Sequence, residues 1–302
     1  MNKSAGNLAK DQKKINFVVW ALMVLYAAAR VLQVFPDKVP ILVIVALHVF
    51  PPLIFALIHG AMSYRLRGMV VFVVLFLVVG NAIENLGVIT SFPFGRYYFT
   101  DVMGPKLFLV PVLLGFAYLG MGYLSWTLGR LILGGMQSPL AGWRIVVLPM
   151  LASFIMVAWD LSMDPIWSTI GHCWIWLDGG VYFGVPAVNF FGWYLTVYVF
   201  YQLFAVYLRA RSNNSGPLPV GYWHLAILFY GVSAAGNLLL AIPQRRLVSV
   251  VSDPTGTQWN VSSITQACAL VSIFTMGAFA VLAWVRLSCH GGEAQRRAPI
   301  QE

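Results

Sequence analysis

Apolar runs of about twenty residues, separated by short polar breaks, fill nearly the whole chain. That length crosses a hydrocarbon core about 30 Å thick as an α-helix. Eight candidate spans follow, at roughly 15–34, 40–62, 69–90, 106–133, 143–163, 188–208, 222–242 and 264–286. The pattern predicts an all-α, polytopic transmembrane bundle. The first run is too long for a signal-peptide core and has no clear small-residue cleavage site, so it reads as a retained helix. The Gly134-Gly135 pair is expected to end the long fourth span. Residues 1–14 form a basic tail, 15–287 one integral domain and 288–302 a polar tail. Both tails read as disordered, 212–217 reads as a polar loop, and no internal repeat is evident.

Composition agrees. Apolar residues make up 60% of the chain and charged residues 10%, where a soluble domain is nearer a quarter charged. Mean hydropathy is +0.78. The net charge of +9 is scattered over tails and short loops, which suits anionic lipid and topology rules and argues against a nucleic-acid partner. With the N-terminus in the cytoplasm, thirteen of the 19 Lys and Arg residues fall on the cytoplasmic side and six, among them Arg30, Lys38, Arg96, Arg245 and Arg246, on the other. Both termini are then cytoplasmic, and the expected location is the cytoplasmic membrane of a prokaryote. Cys173, Cys268 and Cys289 lie in unrelated segments and suggest no disulfide framework. No metal-ligand spacing, HExxH, histidine cluster, Walker motif or dinucleotide motif occurs, so no metal and no cofactor is expected.

Two polar islands interrupt this pattern. The first runs from Asn81 through Glu84, Asn85, Gly87, Thr90, Pro93, Phe94, Gly95 and Arg96 to Tyr97 and Tyr98. The second contains Asp160, Asp164 and Pro165, then Trp174, Trp176, Asp178, Tyr182, Asn189 and Trp193. Glu84, Asp160 and Asp164 are three of only ten acidic residues, and a carboxyl group in membrane-like sequence is costly enough to mark a site. The third and fifth spans must run in the same direction. Glu84 and Asp160, each near the C-terminal end of its span, therefore share one depth and one side, and the loops 91–105 and 164–187 emerge there together. Asp160 and Asp164 share a helix face if the helix continues that far, whereas Pro165 disfavours helical geometry at Asp164.

Each residue also has a plainer reading. Glu84 and the aspartates could be interhelical hydrogen-bonding groups. Asp101 and Asp178 read as solvated loop charges, His48 and His59 as hydrogen-bonded structural histidines, and His172 stays open as an auxiliary proton carrier. The loop aromatics fit an interfacial belt, or walls that hold a polyene and stabilise a carbocation through the ring quadrupole.

The combination Glu84-x-x-Gly87, Thr90-x-x-Pro93-Phe94-Gly95-x-Tyr97, Asp160-x-x-x-Asp164-Pro165 and Gly180-x-Tyr182-x-Gly184-Val185-Pro186-x-x-Asn189-Phe190-x-Gly192-Trp193 resembles the membrane carotenoid biosynthesis proteins, of the bisanhydrobacterioruberin hydratase and carotenoid 1,2-hydratase type. The resemblance is strong over about residues 80–195. It departs at Ser91, where the family pattern has glycine, and at His172-Cys173. It implies hydration of the terminal double bond of an acyclic carotenoid end group. It further implies a carotenoid or other long polyisoprenoid substrate, membrane lipid surroundings, and other carotenoid biosynthesis enzymes as partners. Glu84, Asp160 and Asp164 are then the catalytic candidates, with an aspartate as acid and Glu84 as the base that positions water. Asn81, Asn85, Pro93, Phe94, Arg96, Tyr97, Trp174, Trp176, Tyr182, Asn189 and Trp193 are the substrate-binding candidates. Two other functions remain open at this point: a non-catalytic isoprenoid transporter or binding protein, and a protonation-initiated cyclase.

Overall fold

The computed structural model describes residues 2–35, 38–135, 140–211, 218–242 and 248–296, with backbone alone for 2–14 and 290–296. Its helices are α1 (Asn2–Leu32), α2 (Ile41–Thr90), α3 (Val112–Ile132), α4 (Arg144–Pro165), α5 (Ala187–Ala210), α6 (Val220–Ala241), α7 (Val261–Val271) and α8 (Ala278–Arg296). Single π-turns follow α4 (Ile166–Ile170) and join α7 to α8 (Ser272–Gly277). Among the described residues, seven helical stretches are long and apolar enough to cross a membrane. A helix satisfies its own backbone hydrogen bonds, as hydrocarbon demands.

The 50 residues of α2 contain two of the expected spans. A straight helix of that length would measure about 75 Å, far more than one bilayer core. The backbone breaks at Arg65 (φ 58°, ψ 170°). A Cβ on Gly60 would meet Met69 Sδ, although a straight helix would hold those residues about 13 Å apart. The chain therefore doubles back, and both arms pack on α3. His59 Nδ1 lies 2.6 Å from Tyr123 OH, and the Phe72 and Tyr123 ring centroids are 5.7 Å apart. With α2 counted as two arms, the described residues hold eight stretches of membrane-spanning length, an even number that suits two ends on the same side.

The structure corrects three boundaries. The fourth span begins at Val112, because residues 106–111 form a hairpin of β2 (Lys106–Leu107) and β3 (Val110–Pro111) turning through Phe108 at φ 57°. It ends where expected, with Leu133 capping α3 and Gly134 at φ 67°. α1 and α8 carry helix into both segments read as disordered tails, since a helix needs no bilayer to go on pairing its own backbone. Asp164 lies inside α4, before Pro165, and not past the helix end. The polar loop 212–217 and Arg245, Arg246 and Arg297 lie outside the described residues.

The helix tolerates its prolines because side chains replace the missing donors. Pro165 has no N–H for the carbonyl of Leu161, and Tyr182 OH donates to that oxygen at 3.1 Å. Pro149 likewise frees the carbonyl of Ile145, which accepts from Gln202 Nε2 on α5 at 3.2 Å. The first of these bonds fastens the 166–186 loop to the helix that carries Asp160 and Asp164.

Candidate functional site

The two polar islands are joined by a ladder. β1 (Tyr97–Phe99) pairs antiparallel with β4 (Trp174–Trp176), with Tyr97 opposite Trp176 and Phe99 opposite Trp174. Alternation along a strand sends Tyr97, Phe99, Trp174 and Trp176 to one face and Tyr98 and Ile175 to the other. The first four are buried, while Tyr98 is exposed. Their shared face roofs an enclosed chamber.

The chamber, about 220 Å³ in volume, is lined by Glu84, Phe94, Tyr97, Phe99, Tyr118, Asp164, Trp174, Trp176, Asn189 and Trp193. It has room for about one water molecule. Glu84 and Asp164 are 3% and 1% exposed and come from different helices. Tyr97 OH donates to Glu84 Oε2 and lies 3.3 Å from the Glu84 carbonyl oxygen. Burial holds the Tyr97 phenol far above its ordinary pKa, so it stays a neutral donor. Asp164 Oδ1 accepts from Trp174 Nε1 at 3.0 Å and from Trp176 Nε1 at 3.3 Å, and Oδ2 accepts from Asn189 Nδ2 at 2.7 Å. The same Asn189 nitrogen reaches Asp160 Oδ2 at 3.4 Å. Asp160 is thus tied to the site through Asn189, one helical turn back from Asp164, and does not itself line the chamber. Asn189 Oδ1 is buried and makes no hydrogen bond.

The remaining candidates divide. Trp193 closes one wall, its ring 5.3 Å from Phe94 and 4.2 Å from Tyr118. Pro93 backs this wall from outside: a Cβ on Gly192 would meet Pro93 O and Phe94 Cδ1, so only glycine lets the loop settle on α5. Asn81 and Asn85 lie elsewhere. Asn85 Nδ2 donates to Asn81 O and Oδ1, and Asn85 Oδ1 accepts from Leu109 N at 3.0 Å, on an apolar groove that includes Leu77 and Phe108. A step of one residue along a helix turns the side chain by about 100°, which carries Asn85 off the face of Glu84. Arg96 is exposed, its Nε 2.8 Å from Asp178 Oδ2, and it clips the two loops together on their outer surface. This pair holds the Asp178 carboxyl below its usual range. Tyr182 serves the Leu161 carbonyl and lies outside the chamber.

Reasoning from sequence overlooked Phe99 and Tyr118. The alternation Tyr97-x-Phe99 carried a signal for the first, whereas Tyr118 sits in an apolar helix with nothing to mark it. It also overlooked a larger cavity of about 520 Å³ on the other side of the tryptophan pair, bounded by Ser168, Thr169, His172, Trp174, Trp176 and Asp253. Asp253 belongs to the hairpin of β5 (Val250–Ser252) and β6 (Gln258–Asn260), where it accepts from Thr255 N, Thr257 N and Trp259 Nε1. Trp174 and Trp176 therefore form the partition between a polar vestibule and the carboxyl chamber.

A multi-pass helical bundle that buries carboxyl groups from two helices under an aromatic roof defines a membrane protein with an internal carboxyl-lined site. The family model described as carotenoid biosynthesis protein matches residues 38–251, about two thirds of the chain, and the chain belongs to that family. It has a role in carotenoid biosynthesis. No curated protein and no solved structure matches the chain significantly.

Proposed function

We propose that the protein is a carotenoid hydratase, adding water across the terminal C1,2 double bond of an acyclic carotenoid end group. The observation that carries this reading is the convergence of Glu84 and Asp164 on one enclosed aromatic chamber. Hydration of a trisubstituted alkene needs a proton delivered to carbon, a tertiary cation sheltered until capture, and a base for the incoming water.

The hydrogen bonds favour a division of labour opposite to the one expected from sequence. Asp164 accepts three N–H bonds, a setting that suits the ionised form. Glu84 receives only the Tyr97 hydroxyl, at Oε2, which leaves Oε1 to carry a proton. Once the aromatic roof has moved aside to admit the end group, Glu84 protonates the less substituted alkene carbon, the π electrons forming the new C–H bond. The rings of Phe94, Tyr118, Trp176 and Trp193 stabilise the tertiary cation. Water adds its oxygen to that cation and gives its surplus proton to Asp164, with Asn189 Oδ1 accepting the water's other proton as a hydrogen bond. Return of the proton from Asp164 to Glu84 closes the cycle, with one water consumed. No redox step is involved. Water would enter from the vestibule when the tryptophan pair moves.

The test is expression in a lycopene-producing host followed by mass spectrometry of the pigments. The expected product gains one water of mass for each modified end. A product of unchanged mass but altered polyene spectrum would indicate a cyclase, and unaltered pigment in a different location would indicate a transporter.

A further inference from the structure

A further cavity lies beyond Trp174 and is walled by apolar side chains of α1 to α4, among them Val45, Leu114, Ala117, Met121 and Met163, with Arg30 and His48 also lining it. Arg30 is 7% exposed and stands in the last turn of α1. Its Nη2 donates to Ser233 Oγ at 2.7 Å and to Tyr26 OH, and its Nη1 lies 3.4 Å from Asn237 Oδ1. All three acceptors are neutral. Nε is buried and makes no hydrogen bond. Among the described residues no ion pair links Arg30 to a carboxylate.

The position is built for an arginine. The Arg30 stem crosses Gly236 of α6, where an added Cβ would collide with Cβ, Cγ and Cδ of the arginine. A guanidinium cannot shed its charge, and a buried charge without a counter-charge is costly. The helix C-terminus offsets only part of that cost. A hydrocarbon polyene in this cavity would leave the cation as it is.

We infer that the Arg30 cavity binds an amphiphile with an anionic head, a carboxylate or a phosphate, whose head meets Arg30 and whose apolar tail lies among α1 to α4. Guanidinium recognises both anions through its N–H groups. Arg30 lies in the last turn of its helix, near the end of the apolar stretch Ile15–Leu32, which suits a ligand entering from the bilayer. This inference does not depend on the reaction proposed for the carboxyl chamber.

Trp159, Trp167 and Trp174, three of the 11 tryptophans, line the cavity, and the dependence of quenching on Arg30 isolates their share of the signal. The full chain in detergent is titrated with 9,10-dibromostearate and with its methyl ester, and separately with dibrominated phosphatidic acid and phosphatidylcholine, following tryptophan quenching. At least one anionic probe should quench at a concentration tenfold or more below its neutral counterpart. Preference for the fatty acid alone identifies a carboxylate ligand, and preference for phosphatidic acid identifies a phospholipid. Arg30→Gln should abolish the preference and Arg30→Lys retain part of it. Ala117→Phe, which fills the cavity and leaves the charge in place, should weaken quenching by the acid. Equal quenching by acid and neutral probes in the unmodified protein overturns the inference even if Arg30→Gln fails to fold, and so does a preference that survives Arg30→Gln.

Discussion

Tyr97 and Trp176 face each other across a three-residue antiparallel ladder with ring centroids 4.8 Å apart, and each hydrogen-bonds a different carboxyl group. Tyr97 serves Glu84 on α2 and Trp176 serves Asp164 on α4. The ladder thereby fixes the separation of the two acids. Neither helix could do so alone.

Removing the acid–base groups without changing their size is the most direct check on the chemistry. Glu84→Gln and Asp164→Asn should each lower hydroxylated carotenoid formed per unit of inserted protein by about 10²–10⁴-fold. Asp160→Asn should cost less, because Asp160 acts through Asn189 and does not line the chamber. Near-normal turnover in both Glu84→Gln and Asp164→Asn would rule out carboxyl-driven hydration here.

Tyr97→Phe keeps the ring in the roof and deletes the donor to Glu84. A buried acceptor left without its partner costs about 1–3 kcal/mol. Turnover should fall about tenfold or more, while the protein still inserts and its thermal midpoint drops by only a few degrees. A variant with unchanged turnover would leave Tyr97 a packing residue only.

The carbonyl freed by Pro165 allows a double-mutant cycle. Tyr182→Phe should destabilise the protein by about 1–3 kcal/mol, since Leu161 O loses its donor. Pro165→Ala supplies a backbone N–H for the same carbonyl, so Tyr182→Phe should cost less in that background. Additive costs, measured by thermal unfolding in one detergent, would show that the two residues do not share this acceptor.

Ser91 ends α2 at φ 68°, with its N–H bonded to Gly87 O at 2.7 Å. The resemblance noted in the sequence has glycine at this place, and the geometry supplies the reason: a left-handed residue with a Cβ costs about 1–2 kcal/mol relative to its usual conformation. Ser91→Gly should leave turnover intact and raise stability, by about 0.5–1 kcal/mol once the added freedom of the unfolded chain is counted. A loss of stability would mean that the serine side chain makes up for the strain.

Cysteine labelling tests the seal beside the roof. Cys173 is fully buried, and burial pushes its thiol up to about 12, whereas Cys289 is exposed. A raised pKa means that thiolate, the reactive form, is scarce until the pH approaches that value. Maleimide at pH 7–8 should therefore modify Cys289 and spare Cys173. Fast labelling of Cys173 at pH 7 would show that the 166–186 loop opens readily.

The sequence by itself determined the class, the helical spans and the fact that the carboxyl groups lie at one end of the bundle. Apolar run length fixes the number of spans, and direction along consecutive spans fixes which ends lie together, so Glu84 and the two aspartates could be brought to one depth without coordinates. The aromatic loops followed, because they are short extensions of those ends. Tertiary structure decided which polar groups meet. Asn85 is next to Glu84 in the chain yet faces another groove together with Asn81, since a step of one residue along a helix turns the side chain by about 100°. Asp164 and not Asp160 reaches the chamber, because Tyr182, a residue of the following loop, supplies the hydrogen bond that lets the helix continue through Pro165. Tyr118 and the Arg30 cavity left no readable mark. An aromatic residue in an apolar run looks the same whether it meets lipid, protein or ligand, and an arginine near the end of a span reads as an interfacial anchor, so only packing against the other helices makes the difference.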